Sequence, residues 1–272
     1  MLILGGFDGL HRGHEKLVSR AKTYGLPVGI MTILGGKEGQ SLFTLEERKL
    51  LFQEAGIDFM FTLHFEEIKD LSAEAFALLL LENFYVKAFV CGDDFRFGKH
   101  AAGNAETLKQ ATQVRVEVES LLKVNGKKVS TSQIKELLFA GKIEAANTLL
   151  AQEFFLLGTV VKDRQIGRTI GFPTANICYP QDKFSLKKGV YETQVTLQGK
   201  TYRGITNYGA RPTFHEESVV TETYLDDFAG DLYGQELCVR FLRFLRSIER
   251  FESAEALKEQ LKTDVRRVRE ND

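Results

Sequence analysis

The sequence predicts a two-domain protein of the α/β plus all-β class. In the first half, short apolar runs alternate with helical segments, the pattern of βαβ units that build a parallel sheet. After about residue 153 the pattern changes to short strands separated by glycine and proline turns. The chain has 272 residues, 43% of them hydrophobic, enough for two cores of ordinary size. We therefore expect a Rossmann-like domain over residues 1–152 and an antiparallel barrel domain over residues 153–272.

The strands of the first domain are predicted by apolar runs at Leu2–Leu4, 28–31 and 59–62. Thr44 and Glu47 form a capping box ahead of a helix, and Gly56 stands where its C-terminal cap belongs. Two more helices are expected over residues 130–141 and 143–147, leading to the domain boundary.

The second domain contains a predicted hairpin, in which residues 191–197 and 202–206 are strands joined at Gln198-Gly199. A helix is expected after Ser253. Its apolar residues recur at spacings of four and three and give it one face to bury against the barrel: Leu257, Leu261, Val265 and Val268.

A glycine-rich loop within residues 158–176, GTVVKDRQIGRTIGFPTAN, is the first candidate site. Gly167 and Gly171 bracket Arg168, so backbone N–H groups can approach an anion closely while a guanidinium neutralises its charge. Thr174 and Asn176 follow, two residues apart, as oxygen ligands for a cation such as the Mg²⁺ that accompanies ATP. The alternative is that these residues only mark a turn between strands.

A second candidate site follows the first strand, where Gly5–His14 reads GGFDGLHRGH. This turn places His11 and His14 at a helix N-terminus, where the dipole and free N–H groups favour phosphate. The imidazoles can donate hydrogen bonds to ATP oxygens during attack at the α-phosphorus. Ordinary helix capping is the alternative. The turn residues expected to contact the nucleotide are Gly6, Phe7, Asp8 and Gly9.

Two further segments belong with this site by their order in the chain. Residues 91–98 read CGDDFRFG after a predicted strand and contribute Asp94. Residues 129–135 read VSTSQIK and contribute Ser130, Thr131 and Lys135 at a helix start, where hydroxyls otherwise serve as N-caps.

The C-terminal half resembles the flavokinase family, the riboflavin kinases. The resemblance rests on the GFPTAN packet and on further blocks in that family's order: GVY at 189–191, NYGARPTF at 207–214, ETYLDDF at 222–228 and DLYG at 231–234. It implies a six-stranded barrel with a C-terminal helix, Glu222 as the catalytic base, and Asn207 as a nucleotide-site residue. Alternation independently puts Glu222 on one strand face with Tyr224, where neighbours can partly desolvate it.

The HxGH motif alone resembles a wide superfamily of nucleotidylyl transferases and class I aminoacyl-tRNA synthetases. The order HxGH, GDDFRFG, STSxIK and then the kinase signature resembles the bacterial bifunctional riboflavin kinase and FMN adenylyltransferase family along nearly the whole chain. The resemblance implies ATP- and Mg²⁺-dependent conversion of riboflavin to FMN by the second domain. It also implies adenylylation of FMN to FAD by the first.

The chain departs from this family at two places in the first domain. Residues 31–37 read MTILGGK, where the family has an aromatic residue and prolines, and a glycine-rich loop costs more entropy to order. Lys135 stands where the family has arginine, and a lysine cannot make the planar bidentate contact to phosphate that an arginine makes. Two alternatives stay open: a kinase-only protein with a degenerate first domain, and a flavin-binding regulator without turnover.

The resemblance implies small-molecule partners, namely riboflavin, FMN, FAD and ATP, and the composition agrees with it. The 36 basic and 37 acidic residues nearly balance, which argues against general attraction to nucleic acid or anionic membranes. Cys91, Cys178 and Cys238 make no CxxC pair and are expected to be buried thiols. Without a signal-peptide pattern or an apolar run of membrane-spanning length, we expect a cytoplasmic protein. The sequence leaves its oligomeric state open.

Overall fold

The computed structural model describes residues 1–35, 40–120, 122–124, 126–162, 171–210 and 219–270. The chain divides into two compact units, Met1–Gln133 and Ile134–Asp272, and each is described by itself. The second unit thus includes residues 134–147 ahead of the barrel. The predicted boundary between the two catalytic domains, between residues 152 and 153, stays a prediction.

The first unit is built on a five-stranded parallel sheet with the order β3-β2-β1-β4-β5, which confirms the predicted Rossmann-like class. Because the strand order reverses between β1 and β4, the loops that follow these two strands flank a crevice at the carboxyl edge. The strands are β1 (Leu2–Leu4), β2 (Gly29–Leu34), β3 (Phe59–His64), β4 (Ala88–Gly92) and β5 (Arg115–Glu119), with a separate hairpin of β6 (Lys123–Val124) and β7 (Lys127–Lys128).

The helices of the first unit pack on this sheet, and helical Phe76 shares a buried core with Leu2, Leu4 and Phe89 of the strands. The predicted capping box is confirmed, since Glu47 N–H donates to Thr44 Oγ1 and Thr44 N–H donates to the Glu47 carboxylate. Gly56 follows this helix at φ +67°. The helices are α1 (Arg12–Lys22), α2 (Leu45–Glu54), α3 (Phe65–Ile68), α4 (Ala73–Phe84) and α5 (Ala105–Thr112), with a 3₁₀ turn at Lys99–Ala101.

The second unit is a nearly closed barrel of six antiparallel strands in the order β8-β13-β10-β11-β12-β9, as predicted. Beyond β8, the Val161 N–H donates to Asn176 O at 2.8 Å and brings the two outer strands together. The strands are β8 (Phe155–Thr159), β9 (Thr174–Cys178), β10 (Gly189–Leu197), β11 (Lys200–Ala210), β12 (Val219–Leu225) and β13 (Glu236–Arg246).

Two predicted features of the barrel are confirmed. Gln198 and Gly199 turn β10 into β11 with φ angles of +50° and +80°, the backbone that a tight two-residue hairpin needs. The C-terminal helix α8 (Ala254–Arg269) packs Val268 and Val265 against Val190, Ile205 and Leu245 of the barrel.

The predicted helices before the barrel are also present, as α6 (Thr131–Phe139) and α7 (Ile143–Asn147). Asn147 fixes α7 to the barrel, because its amide donates to Phe241 O and accepts from Phe154 N–H. In the described residues, no helix combines the length and the apolar character needed to cross a membrane.

The three cysteines are free thiols, and Cys91 is buried as predicted. Burial raises its pKa to about 11. The prediction was wrong for Cys178, which is exposed because it ends β9.

Candidate active sites

The first candidate site is the turn between β1 and α1. His11 is the N-cap residue, with an extended backbone, and His14 lies in the first helical turn. Their imidazole rings are stacked, with centroids 3.5 Å apart and planes inclined by 19°. Phe7 packs on His14 with its centroid 4.6 Å away. The structure therefore brings the two predicted histidines together at a helix N-terminus.

Gly9 and Gly13 each lie so close to an aromatic ring that a larger residue would clash with it. A Cβ on Gly13 would lie 2.9 Å from the His11 ring, so a larger residue would displace that imidazole. Gly9 has φ +156°, and a Cβ there would come within 2.5 Å of the Phe43 ring. The spacing HxGH thus allows the close stacking of His11 and His14 that the structure shows.

Both imidazoles are held in the neutral state. The pKa of His11 is lowered to about 4, chiefly by burial, against the opposing effect of a backbone hydrogen bond; smaller effects come from Lys128, which lowers the pKa, and Asp94, which raises it. Burial, then repulsion from His11, lowers the pKa of His14 well below its usual value. Each Nδ1 atom is buried and meets no hydrogen-bond partner within the described parts of the chain. Neutral rings can still donate N–H hydrogen bonds.

Asp8, predicted to contact the nucleotide, is engaged by the protein itself. Its carboxylate accepts from Arg48 Nη2 at 2.7 Å and from Leu42 N–H at 3.0 Å. Buried Arg48 also donates to Thr32 Oγ1 and Phe43 O. This network fixes the turn, and a direct role for Asp8 in nucleotide binding stays a prediction.

Lys128 is a cation of this region that the sequence reasoning missed. It lies in β7 and forms an ion pair with Asp94, the predicted site residue that follows β4. Its charge acts on both histidines. Its position two residues before the Ser130 hydroxyl was the available signal.

The predicted hydroxyl segment has the capping geometry of a helix start. Ser130 Oγ accepts from Gln133 N–H at 3.3 Å, and Thr131 begins α6. Lys135 places its ammonium 5.5 Å from the Phe184 ring centroid, within the second unit. Contacts of Ser130, Thr131 and Lys135 with a nucleotide stay predictions. Of the altered segment 31–37, residues 31–34 belong to β2, and residues 36 and 37 lie outside the described residues.

The second candidate site is a row of polar side chains across three strands of the barrel. Glu222 on β12 lies directly opposite Asn176 on β9 and Asn207 on β11. Thr174 lies opposite Tyr224, two residues further along the same strands. Because side chains on a strand alternate between faces, all of these residues share one face of the sheet. Four predicted site residues, far apart in sequence, are thus neighbours.

A cavity of about 550 Å³ is lined by Thr174 and Asn176 of this row and by the loop from Phe228 to Tyr233. From β12 it is lined by Thr223 and Leu225, which alternate with Glu222 along the strand, and neither Glu222 nor Asn207 is among its described lining residues. Gly171 enters β9 at φ +86°, a conformation that favours glycine. The predicted phosphate residues Gly167 and Arg168 lie outside the described residues.

Asp231 and Tyr233 line the same cavity and were absent from the predicted site. Asp231 Oδ1 accepts from the Tyr233 N–H at 2.9 Å, which folds the loop. The DLYG block that contains both residues was the signal for them. Lys162 places its ammonium 5.7 Å from the Tyr233 ring centroid.

Fold and site geometry together define a two-domain transferase, with a nucleotidylyltransferase-like first unit and a flavokinase-like second unit. Two family models match the chain: FAD synthetase over residues 1–133 and riboflavin kinase over residues 150–271. The chain belongs to the bifunctional riboflavin kinase/FMN adenylyltransferase family.

Curated relatives of that name match nearly the full chain. The protein from Bacillus subtilis is 32% identical over 97% of this chain and 90% of its own length. The Escherichia coli K12 protein is 33% identical over 99% and 92%. A solved structure from Streptococcus pneumoniae, titled a macrolide-efflux protein, is 29% identical, with a TM-score of 0.86 over 98% of this chain and 93% of that one.

Proposed function

We propose that the second unit phosphorylates riboflavin to FMN and that the first unit adenylylates FMN to FAD, each with ATP. The observation that carries the proposal is the register that aligns Asn176, Glu222 and Asn207 in one row, in which Asn176 also lines the cavity. The stacked, neutral histidine pair supports the second activity. Membership of the bifunctional family supports both.

In the kinase reaction, Glu222 is the general base. Its carboxylate accepts the proton of the ribityl 5′-hydroxyl as that oxygen attacks the γ-phosphorus of ATP, and ADP leaves. The half-buried position of Glu222 on the sheet face limits its access to water. Arg168 and the glycines at 167 and 171 are proposed to cradle the phosphates. Asn207, directly opposite Glu222, belongs to the same nucleotide site.

Thr174 and Asn176 fit a Mg²⁺ site. Both line the cavity, and together they offer a hydroxyl and an amide oxygen, the hard ligands that Mg²⁺ prefers. Mg²⁺ commonly takes only one or two ligands from the protein and the rest from phosphate and water, so two suffice. When bound with ATP, the ion neutralises phosphate charge. Alanine at Thr174 or Asn176 should raise the Mg²⁺ concentration needed for half-maximal FMN formation.

In the adenylyl transfer, an FMN phosphate oxygen attacks the α-phosphorus of ATP and pyrophosphate leaves. His11 and His14 donate N–H hydrogen bonds to phosphate oxygens whose charge grows in the transition state. Neutral imidazoles act here as donors and transfer no proton. Lys128 supplies positive charge beside the two histidines. This charge partly compensates for the bidentate phosphate contact that is lost because residue 135 is lysine and not arginine.

The two alternatives are less well supported. A degenerate first domain fits poorly with a FAD synthetase match over residues 1–133 and with a compact histidine pair. A flavin-binding regulator that catalyses no reaction would not require Asn176 and Glu222 to lie opposite each other, as they do here. The cytoplasmic location stays a prediction.

One incubation tests the proposal. The purified chain is given riboflavin, ATP and Mg²⁺, and FMN and FAD are separated by chromatography over time. We expect FMN first and FAD afterwards. FMN without FAD, under saturating FMN and ATP, would support the kinase-only alternative. Flavin binding with neither product would support the regulator.

A further inference from the structure

One wall of the barrel cavity is formed by the end of β12 and the segment that follows it. Leu225 and the residues from Phe228 to Tyr233 line the cavity, and Asp226 and Asp227 lie between them. Asp227 has φ +55°, a left-handed conformation that is uncommon outside glycine and that turns the chain at this point. Whatever fixes Asp226 and Asp227 therefore fixes this wall.

Arg269, the last residue of α8, holds both aspartates. Its Nε and Nη2 donate to the two carboxylate oxygens of Asp226 at 2.7 and 2.8 Å, and Nη2 also reaches Asp227 Oδ1 at 3.3 Å. The Arg269 side chain is 54% exposed but that of Asp226 only 12%. An exposed ion pair alone contributes little, whereas a two-pronged contact to a mostly buried carboxylate fixes geometry.

Tyr224, near the end of β12 and two residues before Asp226, connects this segment to β9, the strand that carries Thr174 and Asn176. Burial, followed by the charge of Asp226, raises the pKa of the Tyr224 phenol. The Tyr224 ring packs edge-on against Phe172, with centroids 5.0 Å apart. Phe172 immediately precedes Pro173 and Thr174, which line the cavity.

The helix that carries Arg269 is itself firmly attached to the barrel. Asp264 is buried and accepts three hydrogen bonds from Arg246. Arg203 on β11 donates to Val268 O at 2.7 Å, and Arg203 O accepts from the Asp226 N–H at 2.8 Å. Arg269 thus extends from a fixed support.

We infer that Arg269, Asp226 and Tyr224 are positioning residues through which the C-terminal helix sets the two walls of the kinase cavity. None of the three acts on the transferred phosphoryl group. They hold the segment after β12 on one side and Phe172, and with it Thr174, on the other. The inference rests on the proposed riboflavin kinase activity and adds a determinant of ATP binding outside the site itself.

The test is the KM for ATP in riboflavin phosphorylation by the full chain. For Arg269→Gln we expect KM to rise about tenfold with kcat changed less than about twofold, because a positioning contact is lost and the base is intact. Arg269→Lys, which keeps the charge but not the two-pronged contact, should fall in between. Arg266→Gln, at an exposed arginine on the same helix, is the matched control and should match wild type.

FAD formation from supplied FMN, carried by the first unit, controls for the amount of active chain, and a kcat for FMN formation close to that of wild type controls for the folding of the barrel. Tyr224→Leu removes the ring that packs on Phe172 and should raise KM about threefold. An unchanged KM for ATP in both Arg269→Gln and Tyr224→Leu, or an equal rise in Arg266→Gln, overturns the inference while the kinase proposal stands. A wild-type chain that forms no FMN overturns both.

Discussion

The two candidate sites are assembled in opposite ways. The histidine site is contained almost entirely in one turn, where Gly13 leaves room for stacked imidazoles. The barrel site is assembled by strand register, which brings Asn176, Asn207 and Glu222 from three strands into one row. A local site depends on the conformation of a few consecutive residues, whereas a register site depends on the whole sheet. The same chain therefore offers two sites that single substitutions can separate.

The largest expected effect tests the barrel site. Glu222→Gln preserves size and hydrogen bonding but removes the base, so kcat for riboflavin phosphorylation should fall by about 10² to 10⁴. FAD formation from supplied FMN should be unchanged, since the first unit carries it. Glu236→Gln, at an exposed acid on β13, is the control. Near-normal FMN production by the Glu222 variant would remove Glu222 from the mechanism.

The converse experiment tests the histidine site. His14→Ala removes a donor to the reacting phosphate, so FAD formation from FMN should fall by about 10² to 10³. FMN formation should persist, and His64→Ala, at an exposed histidine on β3, should affect neither activity. If FAD formation survives in His14→Ala, adenylyl transfer does not use this turn.

Much of the fold could be predicted because its signals are local. The capping box at Thr44 and Glu47 and the turn at Gln198-Gly199 depend on neighbours within a few residues, and both are confirmed. The GFPTAN and ETYLDDF blocks directed attention to Thr174, Asn176 and Glu222. Their alignment is a matter of register, which depends on pairing across the sheet.

The sequence did not reveal partners contributed by distant segments. Arg48, on α2, donates a hydrogen bond to the Asp8 carboxylate. No residue near Asp8 in the sequence indicates that contact. Lys128 lies more than a hundred residues from His11, and it is linked to this site by its ion pair with Asp94, which follows β4, the neighbour of β1 in the sheet. The Arg269 contact with Asp226 likewise joins residues 43 apart.

Lys128 tests how far the histidine site depends on residues outside its turn, because Lys128 is distant from His11 and His14 in the sequence. Lys128→Gln removes the charge, so kcat/KM for FAD formation should fall by about 10 to 10². Lys123→Gln, at the exposed lysine paired with it in the hairpin, should have little effect. FMN formation should not respond to either change. Equal losses from both lysines would indicate a general electrostatic effect instead of a specific role for Lys128.

The smallest expected effect is on stability and concerns the buried histidines. The pKa of His11 is about 4 in the folded chain against 6.5 for an ordinary histidine, so the unfolded chain binds more protons between these values. Stability is therefore fully present above pH 6.5 and is lost as the pH falls toward 4. Between pH 7 and pH 5, His11 alone should lower the free energy of unfolding by about 2 kcal/mol.

Urea unfolding of wild type and His11→Gln at both pH values measures this loss. The variant removes the titrating group, so the difference in pH dependence between the two proteins isolates His11 from the carboxylates that titrate nearby. The variant should be less sensitive to acid by about the 2 kcal/mol expected from His11. Because the two units can unfold in separate steps, the comparison is made on the transition of the first unit. Identical pH dependence in both proteins would mean that His11 is protonated as easily in the folded chain as in the unfolded one, against its burial in this turn.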